Sequence, residues 1–93
     1  MANKYYYNGK LVRTSNNEYE YGIARGNAVV ACCTTFERAT IRLKEEIKYM
    51  NSVIASNKRS LSEITNEEEA KELAEIIKRQ ESLKIQIVHL DRA

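Results

Sequence analysis

The chain changes character within AVVACCTTFE, residues 28–37. Up to Cys33 the residues favour a strand, and because polar side chains do not alternate with apolar ones, this strand is predicted to be covered on both faces. Thr34 and Glu37 then have the spacing of a capping box, in which Thr34 caps the free amides of a new helix and Glu37 reaches back. The stretch therefore predicts strands before about residue 34 and helices after it, an α+β arrangement.

The residues that precede this stretch favour short strands joined by tight turns. Asn8-Gly9, the dipeptide of a type I′ hairpin turn, lies between a run of three tyrosines and Lys10–Arg13. Polar turns follow at residues 15–17 and 25–27, and between them the alternation of residues 18–23 is typical of a strand. We therefore expect a four-stranded antiparallel meander over about residues 4–33.

The residues that follow it have helical periodicity. Mostly apolar side chains recur at steps of three and four, at Phe36, Thr40, Leu43, Ile47, Met50 and Ile54 and again at Leu73, Ile76, Gln80, Leu83, Ile87 and Leu90. A second capping box at residues 65–68 separates the two stripes. We expect two long antiparallel helices over about residues 35–58 and 66–91, with His89 near the end of the second.

Length limits the organisation of the chain. At 93 residues we expect a single domain, in which residues 1–34 form a β-sheet segment and residues 35–93 a helical hairpin. Helices of this length overhang a small sheet, and the second carries apolar residues on more than one side. Their uncovered surface predicts self-association, as a homodimer or a higher oligomer through the helices.

Composition favours a cytoplasmic protein. The chain has no apolar run near the ~20 residues of a membrane-spanning helix, and its first residues, MANKYYYNG, lack the apolar region of a signal peptide. We therefore expect no membrane association. Cys32 and Cys33 are adjacent, which is neither a disulfide framework nor the spacing of a zinc site. They are interpreted as reduced thiols that fill space in a buried strand.

No pattern in the sequence indicates catalysis, a metal or a cofactor. His89 is the only histidine, and residues 67–69 are glutamates that diverge around a helix instead of converging on one ion. Glycine-rich phosphate loops, nucleophile elbows and zinc-binding histidine pairs are all missing from the sequence. We therefore expect a protein that is not an enzyme and has no catalytic residues.

The strand segment carries the features of a ligand site. Residues 1–34 contain five of the six tyrosines and the whole net charge of +2. Aromatic rings beside guanidinium groups hold a nucleotide by stacking and by charge-assisted hydrogen bonds. We expect base stacking, phosphate contact and ribose hydrogen bonding from the following residues: Tyr6, Arg13, Tyr21, Arg25 and Asn27. The alternative is that the tyrosines are simply strand formers whose rings face the helices as core.

Binding of polymeric DNA or RNA is a weaker interpretation. The cations of the strand segment are few, and the basic residues of the first helix, Arg38, Arg42, Lys44 and Lys48, are interrupted by Glu37, Glu45 and Glu46. About eight residues separate the two predicted helices, which is too long for a helix-turn-helix.

Three segments resemble small orphan proteins of phages and prophages of Gram-positive bacteria. These are YYYNGKLVRTS at residues 5–15, VVACC at 29–33 and TFERA at 35–39. Strands followed by two long helices are also similar to the phage anti-Thoeris proteins, oligomers that sequester cyclic ADP-ribose isomers without catalysis. The resemblance implies a phage-type accessory protein in the cytoplasm of an infected or lysogenic bacterial host.

The leading hypothesis is therefore an oligomer that inhibits host immunity by sequestering a signalling nucleotide, such as a cyclic nucleotide. A first alternative is an inhibitor that binds a host defence protein directly, as anti-CRISPR proteins do, through the acidic residues 63–75. A second alternative is a structural adaptor that only dimerises.

Overall fold

The computed structural model describes residues 2–93, which form six strands and two helices. In chain order these are β1 (Asn3–Tyr7), β2 (Lys10–Ser15), β3 (Tyr21–Arg25), β4 (Ala28–Cys33), α1 (Phe36–Glu63), α2 (Glu67–Ser82), β5 (Ile85–His89) and β6 (Asp91–Arg92). The α+β class predicted from the sequence is confirmed.

The strands form two antiparallel sheets of three strands each, and not one meander. Sheet 1 has the order β2-β1-β6 and sheet 2 the order β4-β3-β5. The predicted hairpins β1–β2 and β3–β4 are present, but β2 does not pair with β3. Each hairpin takes its third strand from the C-terminal end of the chain, so the prediction of a continuous four-stranded meander is wrong.

The predicted second helix over residues 66–91 is also wrong in its last third. α2 ends at Ser82, and residues 85–92 are strands that pair with β3 and β1. His89 consequently lies on a strand and not near a helix end. Ile85, Ile87 and Val88 fit a helical stripe, but they are β-branched and fit a strand as well, and pairing with β3 decides between the two. α1, by contrast, continues to Glu63, beyond the predicted end near residue 58.

The first hairpin turn agrees with the sequence, whereas each helix cap lies one residue later than predicted. Asn8 and Gly9 have φ values of 52° and 77°, as a type I′ turn requires. α2 is capped by Asn66, and not by Thr65 of the predicted capping box, because the Asn66 side chain accepts hydrogen bonds from the amides of Glu68 (2.9 Å) and Glu69 (3.3 Å). α1 is capped by Thr35 and not by Thr34, because the Thr35 hydroxyl accepts from the Arg38 amide at 3.2 Å.

Contacts divide the chain into two compact units. The first contains the described residues up to Glu45 together with Lys84–Ala93, and the second contains Glu46–Leu83. Both sheets and the first turns of α1 therefore belong to the first unit. The boundary differs from the one near residue 34 in the sequence, because the last ten residues return to the strands.

The core of the first unit lies between sheet 2 and the first turns of α1. Ile23, Cys33 and Ala39 are buried at its centre, and partly buried side chains surround them: Tyr21, Val30, Ala31, Leu43, Ile85 and Ile87. The predicted apolar stripe of α1 is therefore rotated in the structure. Ala39 is fully buried, whereas Phe36 at the start of the predicted stripe is 58% exposed.

The second unit consists of the remainder of α1 and of α2. Met50 and Ile77 are its buried apolar side chains. Polar contacts join the two helices, since the Asn57 side-chain amide donates to Gln80 (2.9 Å) and Lys58 pairs with Glu81 (3.6 Å). The ion pair is exposed, so its contribution to stability is small.

Gly22 allows close packing on the face of sheet 2 opposite the core. A Cβ atom at Gly22 would lie 3.0 Å from Leu90 Cδ2 and 3.2 Å from Val29 Cγ1. We expect Gly22→Ala to lower the free energy of unfolding by about 1–3 kcal/mol, because both neighbours must shift. Urea denaturation measures the change, and a matched Gly22→Ala, Leu90→Ala double variant should recover part of the Gly22→Ala loss. A Gly22→Ala protein as stable as the wild type would contradict this packing.

Candidate functional site

The five residues predicted to bind a ligand lie on two different sheets. Tyr6 and Arg13 belong to β1 and β2 of sheet 1. Tyr21 and Arg25 are the first and last residues of β3, roughly 13 Å apart at about 3.3 Å per residue, and Asn27 lies in the turn that follows. Arg13, Asn27 and the turn are exposed, whereas Tyr6, Tyr21 and Arg25 are half-buried.

Tyr21 is held by packing on the face of sheet 2 that meets α1. Its ring lies edge-on to Phe36, with the centroids 5.6 Å apart, and tilted against His89 at 4.9 Å. Tyr21 also packs against the core cluster of the first unit. For this tyrosine the structure therefore favours the alternative named above, that the ring is part of the core.

A second aromatic cluster fixes the loop between β2 and β3. Tyr5 is fully buried, and its hydroxyl donates to the carbonyl of Asn17 and accepts from the amide of Tyr19 (2.9 Å). The rings of Tyr5 and Tyr19 meet edge to face at 5.4 Å. The guanidinium of Arg13 lies 5.2 Å from the centroid of Tyr19, a cation–π contact. Arg13 is therefore directed at Tyr19 by the fold.

Tyr19 also lines a groove of about 730 Å³, which we call the β4 groove. Its lining consists of Asn17, Tyr19, Ala31, Cys32, Cys33, Thr34, Arg38, Ile41, Arg42 and Glu45. The four helical residues have the spacing i, i+3, i+4 and i+7, which places them on one side of α1. Within the part of the chain that the structure describes, none of the five predicted site residues lines this groove.

The β4 groove follows the open edge of sheet 2. β4 is an outer strand of the sheet, and four consecutive residues from Ala31 to Thr34 line the groove. Successive side chains of a strand point to opposite faces, so a groove that touches all of them runs along the edge. The Cys33 carbonyl accepts from the Glu20 amide (3.1 Å), on the side of β3. The N–H and C=O of Cys32 therefore point away from β3, towards the groove.

The charged residues that line the groove, Arg38, Arg42 and Glu45, have a net charge of +1. Burial raises the pKa of the Cys33 thiol above its ordinary value of 9.0, and the neighbouring Cys32 adds to the shift. Arg42 and Arg38 act in the opposite direction on the same thiol. Two guanidinium groups against the single carboxylate of Glu45 favour an anionic ligand.

Sequence reasoning missed the helical half of this site. In the sequence, Arg38 and Arg42 did not indicate a binding site, because glutamates interrupt the basic residues of α1. Their spacing of four residues nevertheless indicates that they share a side of the helix. Tyr19 is one of the five tyrosines of the strand segment but is not one of the five residues expected to bind a ligand. Its position beside the groove depends on a distant contact, since its amide donates to the Tyr5 hydroxyl at 2.9 Å.

Neither a metal cluster nor a membrane span is found among residues 2–93. No three side chains of the metal-binding types come together there, and neither helix combines the length and the apolar character needed to cross a bilayer. Comparison of the chain with protein-family models, curated proteins and solved structures gives no match.

Proposed function

We propose that this protein captures a small phosphorylated nucleotide in the β4 groove, without catalysis. The observation that carries the proposal is the presence of one aromatic ring and two arginines, Tyr19, Arg38 and Arg42, in a single groove of about 730 Å³. Ligand sites for small molecules span about 300–1,000 Å³ and combine an apolar lining with a few directed polar groups.

The side chains that line the groove match the three parts of a nucleotide: phosphate, base and ribose. Arg38 and Arg42 provide planar donor pairs, which match the oxygen atoms of a phosphate. Tyr19 provides a ring for a base, and the Arg13 guanidinium against that ring adds positive charge nearby. Asn17 and Thr34 offer neutral hydrogen-bonding groups of the kind that contact a ribose.

The biological setting of the proposal comes from the resemblance to phage proteins. A protein that binds a host signalling nucleotide and does not turn it over lowers its free concentration in proportion to the amount of protein made. Inhibition of host immunity by sequestration is therefore the function that we propose for the bound state. The groove needs residues of one chain only, so capture does not depend on an oligomer.

The test is native mass spectrometry of the full chain with a mixed panel of linear and cyclic nucleotides, followed by calorimetry with the nucleotide that binds. We expect Arg38→Ala and Arg42→Ala each to weaken binding at least about tenfold, since a hydrogen bond to a charged group contributes about 1.5–3 kcal/mol. Arg59→Ala is the matched control, because Arg59 is exposed on α1 outside the groove. Wild-type affinity in both groove variants would exclude the site.

Arg25→Ala distinguishes the groove from the site expected from sequence. If Arg25→Ala abolishes binding while Arg38→Ala does not, the ligand lies at the β3–β4 turn, near Asn27. A spectrum in which no nucleotide mass is added would favour the alternatives instead. Recovery of a host defence protein on the immobilised chain, lost when the exposed glutamates of α2 become lysines, would then indicate a direct inhibitor.

A further inference from the structure

β4 is an edge strand without charged residues. The other outer strands carry or adjoin charges: β2 contains Lys10 and Arg13, β6 consists of Asp91 and Arg92, and β5 lies between Lys84 and Asp91. Charged residues on an edge normally prevent its pairing with another chain. The sequence of β4, AVVACC, has no such charge, and its irregularity, an extra residue at Val30, precedes the residues that line the groove. We infer that β4 pairs antiparallel with β4 of a second copy of this chain, which gives a dimer with a continuous six-stranded sheet.

The backbone of β4 sets the register of this pairing. Cys32 directs its N–H and C=O away from β3, and it lies in the middle of the strand residues that line the groove. A two-fold axis at Cys32 lets it exchange both hydrogen bonds with the partner's Cys32. In such a pair the two Cα atoms are about 5.5 Å apart.

The side of α1 that lines the groove is complementary to itself. Residues 38, 41, 42 and 45 are symmetric about the midpoint between Ile41 and Arg42. In an antiparallel copy Arg38 therefore faces the partner's Glu45, and the same contact recurs by symmetry. Ile41, which is 60% exposed in one chain, lies at the centre.

The distance between the two copies of α1 in this dimer also allows them to pack. Through Ala39 and Leu43, α1 packs over the core residues of β3 and β4, Ile23 and Cys33. Two such helices related by an axis at the β4 edge are separated by about two strand spacings, roughly 10 Å. This is the distance at which packed helices interdigitate.

The second copy and a nucleotide would occupy the same groove, so they compete. Dimer formation then regulates capture, because each nucleotide bound removes a chain from the dimer. The dimer itself does not rest on the proposed function, since it is expected in the ligand-free protein.

Sedimentation equilibrium of the full chain under reducing conditions tests the dimer. We expect a reversible equilibrium between 10.7 kDa and twice that mass. Arg38→Glu and Glu45→Arg should each weaken association at least about tenfold, because each places like charges opposite one another twice. The double variant should recover wild-type association, since the opposite charges face each other again. A monomer at all concentrations, or a double variant as weak as the single ones, would overturn the dimer.

Cross-linking tests the register. Diamide accepts the two hydrogens that the facing thiols lose, and the Cα separation lies within the range of a disulfide. Cys33→Ala should still cross-link, whereas Cys32→Ala should not, and the opposite result would overturn the register.

A saturating nucleotide should lower the dimer fraction, and a bound nucleotide that leaves the dimer fraction unchanged would overturn the competition. If no nucleotide binds, the proposed function fails, and the ligand-free measurements still decide the dimer.

Discussion

A chain that ends at Leu83 will fail to form the unit that contains the two sheets. Removal of residues 84–93 deletes β5 and β6, which supply the third strand of each sheet. β5 pairs with β3 over five residues, and Ile85 and Ile87 pack against the buried Ile23. Ile85 and Ile87 are partly buried, so each contributes less than the about 1.5–3 kcal/mol of a fully buried side chain, but the total stability of a small domain is only about 5–15 kcal/mol. We therefore expect the cooperative transition of this unit to disappear.

Tyrosine near-ultraviolet circular dichroism and urea denaturation measure this loss. A chain that ends at Leu90 is the matched control, because it lacks only β6, which pairs with β1 at two positions. It should remain folded with reduced stability. If residues 84–93 were a helical extension, the shorter chain would instead lose helical signal and keep its tyrosine environment, and that result would contradict the two-sheet arrangement.

Tyr5→Ala should be the most damaging single substitution in sheet 1. The ring is fully buried, and truncation of a large buried aromatic side chain costs about 3–5 kcal/mol. Tyr5→Phe keeps the ring but removes the hydroxyl that joins the Asn17 carbonyl and the Tyr19 amide. Leaving these two backbone groups without their partner should lower the free energy of unfolding by about 1–3 kcal/mol.

Urea denaturation of both Tyr5 variants separates the two contributions. Tyr49→Phe is a suitable control, because Tyr49 is 59% exposed and its change should stay within about 0.5 kcal/mol. Tyr5→Phe should also weaken nucleotide binding, since Tyr19 reaches the β4 groove from the loop that the hydroxyl holds. A Tyr5→Phe protein with wild-type stability would show that this hydroxyl does not anchor the loop.

The site could be predicted only in part, because its residues come together through the sheet edge. The proposed groove contains the residue types that the sequence suggested, a ring and guanidinium groups, but the five residues expected to bind a ligand all come from the strand segment. The β4 groove combines Tyr19 from a loop, Cys32 from an edge strand and Arg38 and Arg42 from a helix. Which side of α1 faces that edge depends on the packing of Ala39 against Ile23, a contact between distant parts of the chain.

Short-range chemistry determined the features that the sequence predicted correctly. The turn at Asn8-Gly9 and the turn at Gly26 each depend on the conformational preference of one or two residues, and polar residues near position 66 mark the start of α2 to within one residue. The change from strands to helices after Cys33 likewise follows from neighbouring residues, and these local preferences suffice for the α+β class.

Tertiary structure determined the secondary structure of residues 85–92 and which strands pair in each sheet. Ile85, Ile87 and Val88 fit a helical stripe by their spacing and a strand by their branching at Cβ, so local preference does not distinguish the two structures. The strand is favoured by the open edges of β3 and β1. Strands at these edges form two further rows of backbone hydrogen bonds and cover Ile23. A helix over the same residues would leave each hairpin with only two strands.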